Sequence, residues 1–303
     1  MVVLATKLLE TIDQAIASDK GAQFRINLKT LLPKMEDAYR GAEDKYRSHL
    51  GASQIGRSCP RELAYNFRWA GESTFPPRIL RLFNRGHLEE ARFLAMLQLV
   101  PGLDLWYETS EGGQFRLSDF GGHFGSALDG IVRNIPDLPM GVPAYSEFKT
   151  MGNSQFNKLT KSGMEASKPE HYAQCQMCMH YMKLPYTLYM VVNKDNDQLY
   201  AEIIPYNEAV ANNYRTRAES IIFMSQLPQR ISSTPTWYEC KNCTHVKVCY
   251  NERQPDPNCR TCQHSKPNES GGWTCKKGDP AIGDKKTAME GCGLYRLSHL
   301  FTG

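Results

Sequence analysis

The chain has 303 residues, of which 41% are hydrophobic and 22% charged, enough for a buried core of ordinary size. The formal net charge of +4 is compatible with nucleic-acid binding but is too small to predict it. No stretch approaches the roughly 18 consecutive apolar residues of a membrane helix, and the amphipathic start has no signal-peptide cleavage site. Composition therefore predicts a globular protein of the cytoplasm with one or two domains, and excludes a membrane-spanning one.

The predicted elements begin with a helical region over residues 1–50. A helix-like run follows within 51–71, and a further helix is predicted over 79–99. Next come four strand-like segments rich in aromatic and branched residues, at 103–109, 114–120, 123–134 and 143–151. A helix over 169–183, a hairpin of strands 186–193 and 198–207, and a helix over 208–227 complete the regular part. This order predicts an α/β fold with a loop-rich tail.

Three charged residues suggest a reaction centre. Glu147 and Lys149 lie two residues apart on one predicted strand, so they project from the same face, and Asp129 precedes them on another. Two carboxylates on adjacent strands make an oxygen-rich site suited to Mg²⁺ or Mn²⁺, and a lysine beside them can orient water or stabilise charge on a phosphate. Such a set can hydrolyse a phosphodiester bond. An isolated Glu-x-Lys more often marks solvent-facing strand charges, so the surrounding motifs decide between the two interpretations.

Those motifs resemble the PD-(D/E)XK nuclease superfamily, and within it the RecB-like and lambda-exonuclease-like enzymes, over roughly residues 51–207. The resemblance implies a restriction-endonuclease-like core, with a mixed central sheet flanked by helices. In it, Asp129 and Glu147 would bind the Mg²⁺ or Mn²⁺ ion and Lys149 would assist catalysis.

Two further segments carry the same resemblance. In NRGHLEEARFLAML, Glu90 falls at the position that adds a residue to the metal site, and His87 is the second choice. In HYAQCQMCMHYM, Gln174 matches the glutamine that helps to set the active site, with Gln176 close by. The resemblance therefore implies that Glu90 and Gln174 complete the catalytic set.

The chain has ten cysteines, and in a reducing compartment these predict metal ligands more than disulfides. Cys175 and Cys178 are predicted to be packed thiols of a helix. One set resembles the iron–sulfur ligands of CRISPR-associated RecB-like nucleases, and implies a structural [4Fe–4S] cluster: Cys59, Cys240, Cys243 and Cys249. The remaining four predict a zinc site in a C-terminal, cysteine-rich extension held by its metals: Cys259, Cys262, Cys275 and Cys292. A rival partition forms one zinc ribbon from two Cys-x-x-Cys pairs: Cys240, Cys243, Cys259 and Cys262.

The predicted domains are a helical region over 1–50, a nuclease core over 51–235, an iron–sulfur segment over 236–254 that includes Cys59, and a zinc-binding tail over 255–303. Hydroxyl and guanidinium groups near Cys59 are predicted to hold DNA phosphates: Ser53, Arg57 and Arg61. Lysines after the catalytic strand are secondary candidates: Lys158, Lys161 and Lys168.

These features together predict a Mg²⁺- or Mn²⁺-dependent DNA exonuclease that acts on duplex ends or single strands. It would serve recombination, repair or end processing, in a cell or, if phage-encoded, in the host cytoplasm. The alternative is a nucleic-acid-binding module on a nuclease fold that does not cleave and works within a larger complex. A redox protein is a third class, but the sequence has no flavin or nicotinamide motif.

Overall fold

The computed structural model describes residues 2–35, 45–277, 281–282 and 284–302. The chain forms two compact units whose segments alternate along the sequence. Unit 1 comprises Met1–Glu43, Phe75–Leu117 and Ala127–Ala211. Unit 2 comprises Asp44–Thr74, Ser118–Ser126 and Asn212–Gly303.

The strands and helices are numbered in chain order. The strands are β1 (Val3–Leu4), β2 (Leu50–Gly51), β3 (Asp104–Trp106), β4 (Arg116–Asp119), β5 (Phe124–Ala127), β6 (Gly130–Arg133), β7 (Pro143–Met151), β8 (Tyr186–Asn193), β9 (Leu199–Pro205), β10 (Ser265–Pro267), β11 (Trp273–Cys275) and β12 (Ala281–Ile282). The helices are α1 (Thr6–Asp19), α2 (Ala22–Leu31), α3 (Ala52–Ile55), α4 (Pro60–Phe67), α5 (Pro77–Leu97), α6 (Asn153–Ser167), α7 (Pro169–Met182), α8 (Glu208–Ile222), α9 (Val246–Cys249) and α10 (Lys285–Glu290).

Unit 1 is built on a six-stranded sheet of order β1-β9-β8-β7-β6-β3. The central strands β7 and β8 run parallel, and the other neighbours are antiparallel. Parallel neighbours need a crossover connection, which the helices α6 and α7 supply. Both central strands are almost entirely buried because helices cover the sheet. The predicted mixed central sheet with flanking helices is therefore confirmed.

The side chains of β7 alternate between the apolar core of unit 1 and the opposite face of the sheet, which carries the charged residues. Phe148 stacks on Phe93 of α5, with ring centroids 4.9 Å apart, and joins a cluster that contains Leu188 and Met190 of β8. Successive side chains of a strand point to opposite faces. Packing of Phe148 against α5 therefore directs its neighbours in β7 to the other side of the sheet.

The structure differs from the predicted elements at several places. The tail was predicted to be loop-rich, but it contains α9, α10 and the strands β10, β11 and β12. The run 123–134 is two strands, β5 and β6, that belong to different sheets. Helix α6 was not predicted, because its sequence is polar and contains Gly163, whose positive φ of 73° interrupts the helix. Residues 1–50 hold two helices but also the strand β1, and 45–50 are not helical. The part of that prediction over 36–44 lies outside the described residues.

Unit 2 contains two small sheets and an arginine inside its core. Strand β2 pairs in parallel with β5, and β10, β11 and β12 form an antiparallel sheet. Arg260 is 6% exposed, and its guanidinium lies 3.8 Å from the ring centroid of Trp69. It donates to the carbonyl oxygens of Phe67 at 2.9 Å and Ser48 at 2.6 Å. Aromatic faces and carbonyl dipoles thus surround this cation.

None of the described helices in either unit is long and apolar enough to cross a membrane.

Candidate active site

Asp129 and Glu147 are brought together by the pairing of two antiparallel strands. Gly130 of β6 pairs with Ser146 of β7. Asp129, which precedes Gly130, therefore lies opposite Glu147, which follows Ser146. The backbone N–H of Phe148 donates to Asp129 Oδ2 at 2.8 Å and fixes this carboxylate at the start of β6. The register of the sheet therefore places the two predicted carboxylates next to each other.

Glu147 is fully buried, and both of its carboxylate oxygens accept hydrogen bonds. Lys149 Nζ donates to Oε1, and Gln174 Nε2 of α7 donates to Oε2 at 3.0 Å. Lys149 remains partly exposed, so it lies between the buried Glu147 carboxylate and solvent. Because both of its oxygens are bound, the carboxylate has little freedom to rotate.

The electrostatics of the site show an excess of negative charge. The pKa of Glu147 is raised to about 7, chiefly because of burial; Lys149 opposes the shift and the neighbouring Asp129 carboxylate adds to it. Burial also raises the pKa of Asp129. Burial lowers the pKa of Lys149, but the two carboxylates outweigh it and hold that pKa above its ordinary value. Two carboxylates share one cation, so an added divalent cation would stabilise their ionised forms.

A cavity of about 300 Å³ in unit 1 adjoins Lys149. Glu90 and His87 of α5 line it, and His87 Nδ1 lies 3.7 Å from Glu90 Oε1. The structure thus brings both candidates from α5 to the space beside Lys149. Among the described residues, however, no group of three or more His, Cys, Asp and Glu side chains is arranged to hold a metal ion as it stands.

Phe83 also lines this cavity, and the sequence analysis missed it. It lies four residues before His87 and seven before Glu90. That spacing puts the three residues on one face of a helix, which is the pattern that could have identified it.

The two glutamines of α7 have different roles. Gln174 contacts Glu147, as described above. Gln176 is buried, donates to the carbonyl oxygen of Pro205 at 3.0 Å and accepts from the backbone N–H of Asn207 at 2.7 Å. It therefore ties α7 to the end of β9 and makes a structural contact.

His171, one helical turn before Gln174, is held in its neutral form. Its Nδ1 lies 2.6 Å from the hydroxyl of Tyr189. Burial lowers the pKa of His171 to about 3, and the positive charges of Lys149 and Lys168 add to the effect. An unfolded histidine titrates near 6.5, so between about pH 3 and 6.5 the unfolded chain binds more protons than the folded one. Stability must then fall as the pH falls.

We expect His171 alone to lower the free energy of unfolding by about 2 kcal/mol between pH 7 and pH 5. The measurement is urea denaturation at both pH values, for wild type and His171→Asn. Asparagine keeps a polar group near Tyr189 but does not titrate. Other buried histidines contribute equally to the pH dependence of both proteins. The difference between the two pH dependences therefore measures the contribution of His171. Equal pH dependence of the two proteins would show that His171 is not held neutral.

The predicted DNA-binding residues near Cys59 lie in unit 2 and have partners within it. Ser53 Oγ lies 3.5 Å from Arg47 Nη1. Arg57 forms an ion pair with Glu62, and Arg61 Nε donates to the carbonyl oxygen of Pro228 at 2.5 Å. Their predicted contact with DNA stays a prediction.

The lysines after the catalytic strand lie on or next to α6. Lys158 and Lys161 are exposed on this helix. Lys168 follows it and donates to Gln155 Oε1 at 2.7 Å.

Four cysteines of unit 2 line one cavity: Cys59, Cys240, Cys243 and Cys249. Burial raises the pKa of the Cys243 thiol to about 12, and the nearby acidic groups Glu62, Cys59 and Cys249 contribute. The hydroxyl of Tyr250 lies 3.7 Å from Cys240 Sγ. This set is the one that the sequence grouped as iron–sulfur ligands.

The remaining cysteines of the tail form a second group. The pKa of Cys259 is raised to about 11, chiefly because of burial, with contributions from the nearby Cys292, Cys262 and Cys275. Cys240 and Cys243 line one cavity with Cys59 and Cys249, while Cys262 lies near Cys259. How the cysteines divide between metals stays a prediction. No disulfide joins any of these cysteines.

Cys175 and Cys178 are buried in α7. Their prediction as packed thiols of a helix is confirmed.

Comparison with known proteins gives distant structural likenesses only. The chain matches no protein-family model and no curated protein. The crystal structure of LHK-Exo in complex with dAMP is 18% identical, with a TM-score of 0.43 over 61% of this chain and 88% of that one. The crystal structure of SSO0001 is 16% identical, with a TM-score of 0.42 over 76% and 97%. An alkaline exonuclease, LHK-Exo from Laribacter hongkongensis, is 18% identical, with a TM-score of 0.38 over 57% and 86%.

Proposed function

We propose that this chain is a Mg²⁺- or Mn²⁺-dependent DNA nuclease of the PD-(D/E)XK type, an exonuclease acting on DNA ends or single strands. One observation carries the proposal. The β6–β7 register sets Asp129 opposite Glu147, while Lys149 and Gln174 contact the buried Glu147 carboxylate. Burial of two carboxylates beside a single cation costs stability, and a fold without a use for them has no reason to keep this arrangement.

The donor chemistry of the site fits a hard divalent cation, because carboxylate oxygens are the ligands that Mg²⁺ and Mn²⁺ prefer. Asp129 and Glu147 would hold the ion, and Glu90 would add a ligand from the cavity side. When bound, the ion lowers the pKa of water and neutralises charge on the phosphate.

The side chains of the chain supply the remaining functions. Lys149 is partly exposed and lines the cavity, and it would orient the attacking water or stabilise the developing negative charge. Gln174 keeps the Glu147 carboxylate in one orientation. The cavity beside Lys149 gives the end of a DNA strand a place to bind.

The cysteine groups of unit 2 are proposed as two structural metal sites. Cys59, Cys240, Cys243 and Cys249 would bind a [4Fe–4S] cluster, since four thiols line one cavity. Cys259, Cys262, Cys275 and Cys292 would bind zinc, as all-cysteine sites commonly do. The first would join segments of unit 2 that are far apart in sequence, and the second would close shorter loops within 259–292. Both would lower the entropy of the unfolded state.

The test is incubation of the purified protein with end-labelled single-stranded and duplex DNA, with Mn²⁺ or Mg²⁺ and with EDTA. Wild type should release nucleotides only with the ion present. Asp129→Ala and Lys149→Ala should leave the DNA intact while remaining folded. If wild type binds DNA but leaves it as intact as both variants do, the protein is the non-cleaving binding module instead.

A further inference from the structure

A hydrogen bond between His171 of α7 and Tyr189 of β8 determines where the proton of the histidine ring lies. Tyr189 is fully buried, and its hydroxyl lies 2.6 Å from His171 Nδ1. A tyrosine hydroxyl keeps its proton at neutral pH, and a buried donor is almost always paired with an acceptor. Within the part of the chain that the structure describes, Nδ1 is the partner of this hydroxyl. The Tyr189 hydroxyl therefore donates to Nδ1, and that nitrogen carries no proton of its own.

The proton of the neutral ring must then lie on Nε2, because a neutral imidazole has one N–H and one acceptor nitrogen. The neutral form is also favoured electrostatically, since burial and the positive charges of Lys149 and Lys168 lower the pKa of His171. His171 is half-buried, and its Nε2 has no hydrogen-bond partner among the described residues. The ring thus presents a neutral donor that can meet a ligand.

The pairing of β7 with β8 places this ring beside the candidate active site. Tyr189 pairs with Glu147 in the parallel register of the two strands, so their side chains lie next to each other on one face of the sheet. His171 and Gln174 are three residues apart and share a face of α7. Gln174 donates to Glu147 at 3.0 Å. Two hydrogen bonds therefore hold the same face of α7 against the same pair of strand residues.

The direction of α7 places His171 on the Lys149 side of Gln174. Gln176 donates to the carbonyl oxygen of Pro205, which lies opposite the first residue of β8. The later residues of α7 thus lie near the start of β8, so the helix runs opposite to the two parallel strands. Residues earlier in α7 therefore lie further along β7, in the direction of Lys149. The positive charge of that lysine accordingly acts on the ring of His171.

Lys149 and His171 thus offer two different donors beside the Glu147 carboxylate. A phosphate held there has several oxygens, each of which can accept a hydrogen bond. The ammonium group of Lys149 supplies charge to one of them. The imidazole adds a hydrogen bond without placing a further positive charge next to the proposed metal ion, because its Nε2–H is neutral.

We propose that the Nε2–H of His171 donates a hydrogen bond to a phosphate oxygen of the bound DNA strand, and that Tyr189 is the positioning residue that keeps this proton on Nε2. The inference rests on the proposed nuclease function, which supplies the phosphate. Contacts to phosphate fix the register of a strand and carry no sequence information. The contact is therefore the same for strands of any sequence.

The first test determines which ring nitrogen carries the proton, without DNA and without cleavage. In protein labelled with ¹⁵N-histidine, the signals of His171 are those that His171→Asn lacks. We expect the proton on Nε2, and Tyr189→Phe should move it partly to Nδ1. Addition of thymidine 5′-monophosphate with Mg²⁺ should shift the Nε2–H signal, whereas thymidine should not. A proton on Nδ1 in wild type, or no shift with the monophosphate, would overturn the inference.

The second test uses the two amide side chains to separate the two ring nitrogens. The amide nitrogen of glutamine reaches the position of Nε2, and the amide of asparagine reaches only that of Nδ1. His171→Gln should cleave DNA nearly as fast as wild type. His171→Asn keeps a partner for Tyr189 but should slow single-turnover cleavage about 10–100-fold, the usual effect of losing a hydrogen bond to a charged group. The reverse order of the two variants would show that His171 only packs against Tyr189.

His180 provides a matched control on the same helix. It is also half-buried, and its Nδ1 lies 2.8 Å from the hydroxyl of a tyrosine, Tyr206. It lies nine residues after His171, at the end of α7 that is away from Lys149. His180→Asn should therefore cleave DNA like wild type, and urea denaturation of each variant shows that the protein compared is folded.

The outcomes distinguish this inference from the proposed function. If wild type cleaves DNA and His171→Asn cleaves as fast as His180→Asn, the phosphate contact is wrong and the nuclease stands. If wild type never cleaves but thymidine 5′-monophosphate shifts the Nε2–H signal of His171, the phosphate contact stands and the nuclease fails.

Discussion

Replacing Glu147 with glutamine should reduce the rate of DNA cleavage by about 10²–10³-fold, the usual loss when one preorganised electrostatic group is removed. Glutamine has the shape of glutamate and can still contact Gln174, so the packing of β7 is preserved while the charge is lost. The measurement is single-turnover cleavage of end-labelled DNA at saturating Mn²⁺. Glu165→Gln, an exposed carboxamide replacement on α6, is the control for net charge. Cleavage by Glu147→Gln within tenfold of wild type would contradict the proposed role.

The two glutamines of α7 provide a matched pair for the same experiment. Gln174→Leu removes the donor to Glu147 and should slow cleavage about 10–100-fold, as the loss of a residue that orients a metal ligand does. Gln176→Leu leaves the carbonyl of Pro205 and the N–H of Asn207 without their partner and should instead cost about 1–3 kcal/mol of stability. Its folded fraction should cleave like wild type. A reversed pattern would show that the glutamines have been assigned the wrong roles.

Replacing Cys243 with serine should remove iron from the protein and leave its zinc in place. Wild type purified without oxygen should contain about four iron atoms per chain and absorb visible light, together with about one zinc. Structural metals contribute large apparent free energies, roughly 10–16 kcal/mol for zinc in small domains. Loss of the cluster should therefore destabilise unit 2 strongly. Iron and zinc analysis, visible absorption and proteolysis of unit 2 measure these effects.

Cys262→Ser is the reciprocal variant, and it should lose zinc while it keeps iron. The alternative zinc ribbon predicts another result, namely that Cys243→Ser and Cys262→Ser both lose the same zinc ion. A colourless wild-type protein that contains zinc alone would overturn the iron–sulfur proposal. The nuclease proposal would be unaffected by that result, because Asp129 and Glu147 belong to unit 1.

The parts of the fold that could be predicted are those in which local pattern and tertiary environment agree. The run 143–151 was predicted to the residue as β7, because a branched and aromatic segment between turns suits a buried strand. The alternation of that strand also predicts that Glu147 and Lys149 share a face, and their contact agrees. The resemblance to the nuclease family also predicted that Asp129 lies beside Glu147. The physical cause of this proximity is the β6–β7 register, which cannot be read from any local pattern.

Features that depend on distant packing could not be predicted. Strand β1 has two residues, and only its pairing with β9 makes it a strand. The exposed position of Phe83 depends on where α5 leaves the core. Apolar residues recur along the whole helix, so no local pattern shows which of them the core covers. Arg260 reads as one more surface charge, yet it lies among aromatic rings and carbonyl groups in the interior of unit 2. The groups of Phe67 and Trp69 that surround Arg260 are about two hundred residues away in sequence, so composition gives no indication that it is buried.

The alternation of the two units along the chain has a consequence for biosynthesis. A ribosome adds about 5–20 residues per second, and domains tend to fold as their segments emerge. All segments of unit 1 precede residue 212, whereas unit 2 needs Asn212–Gly303 as well as two earlier pieces. We therefore expect the carboxylate pair to form several seconds before Cys59 meets the cysteines of the tail. In that interval the early segments of unit 2 lack their later partners, so the proposed iron and zinc sites would be completed late in synthesis.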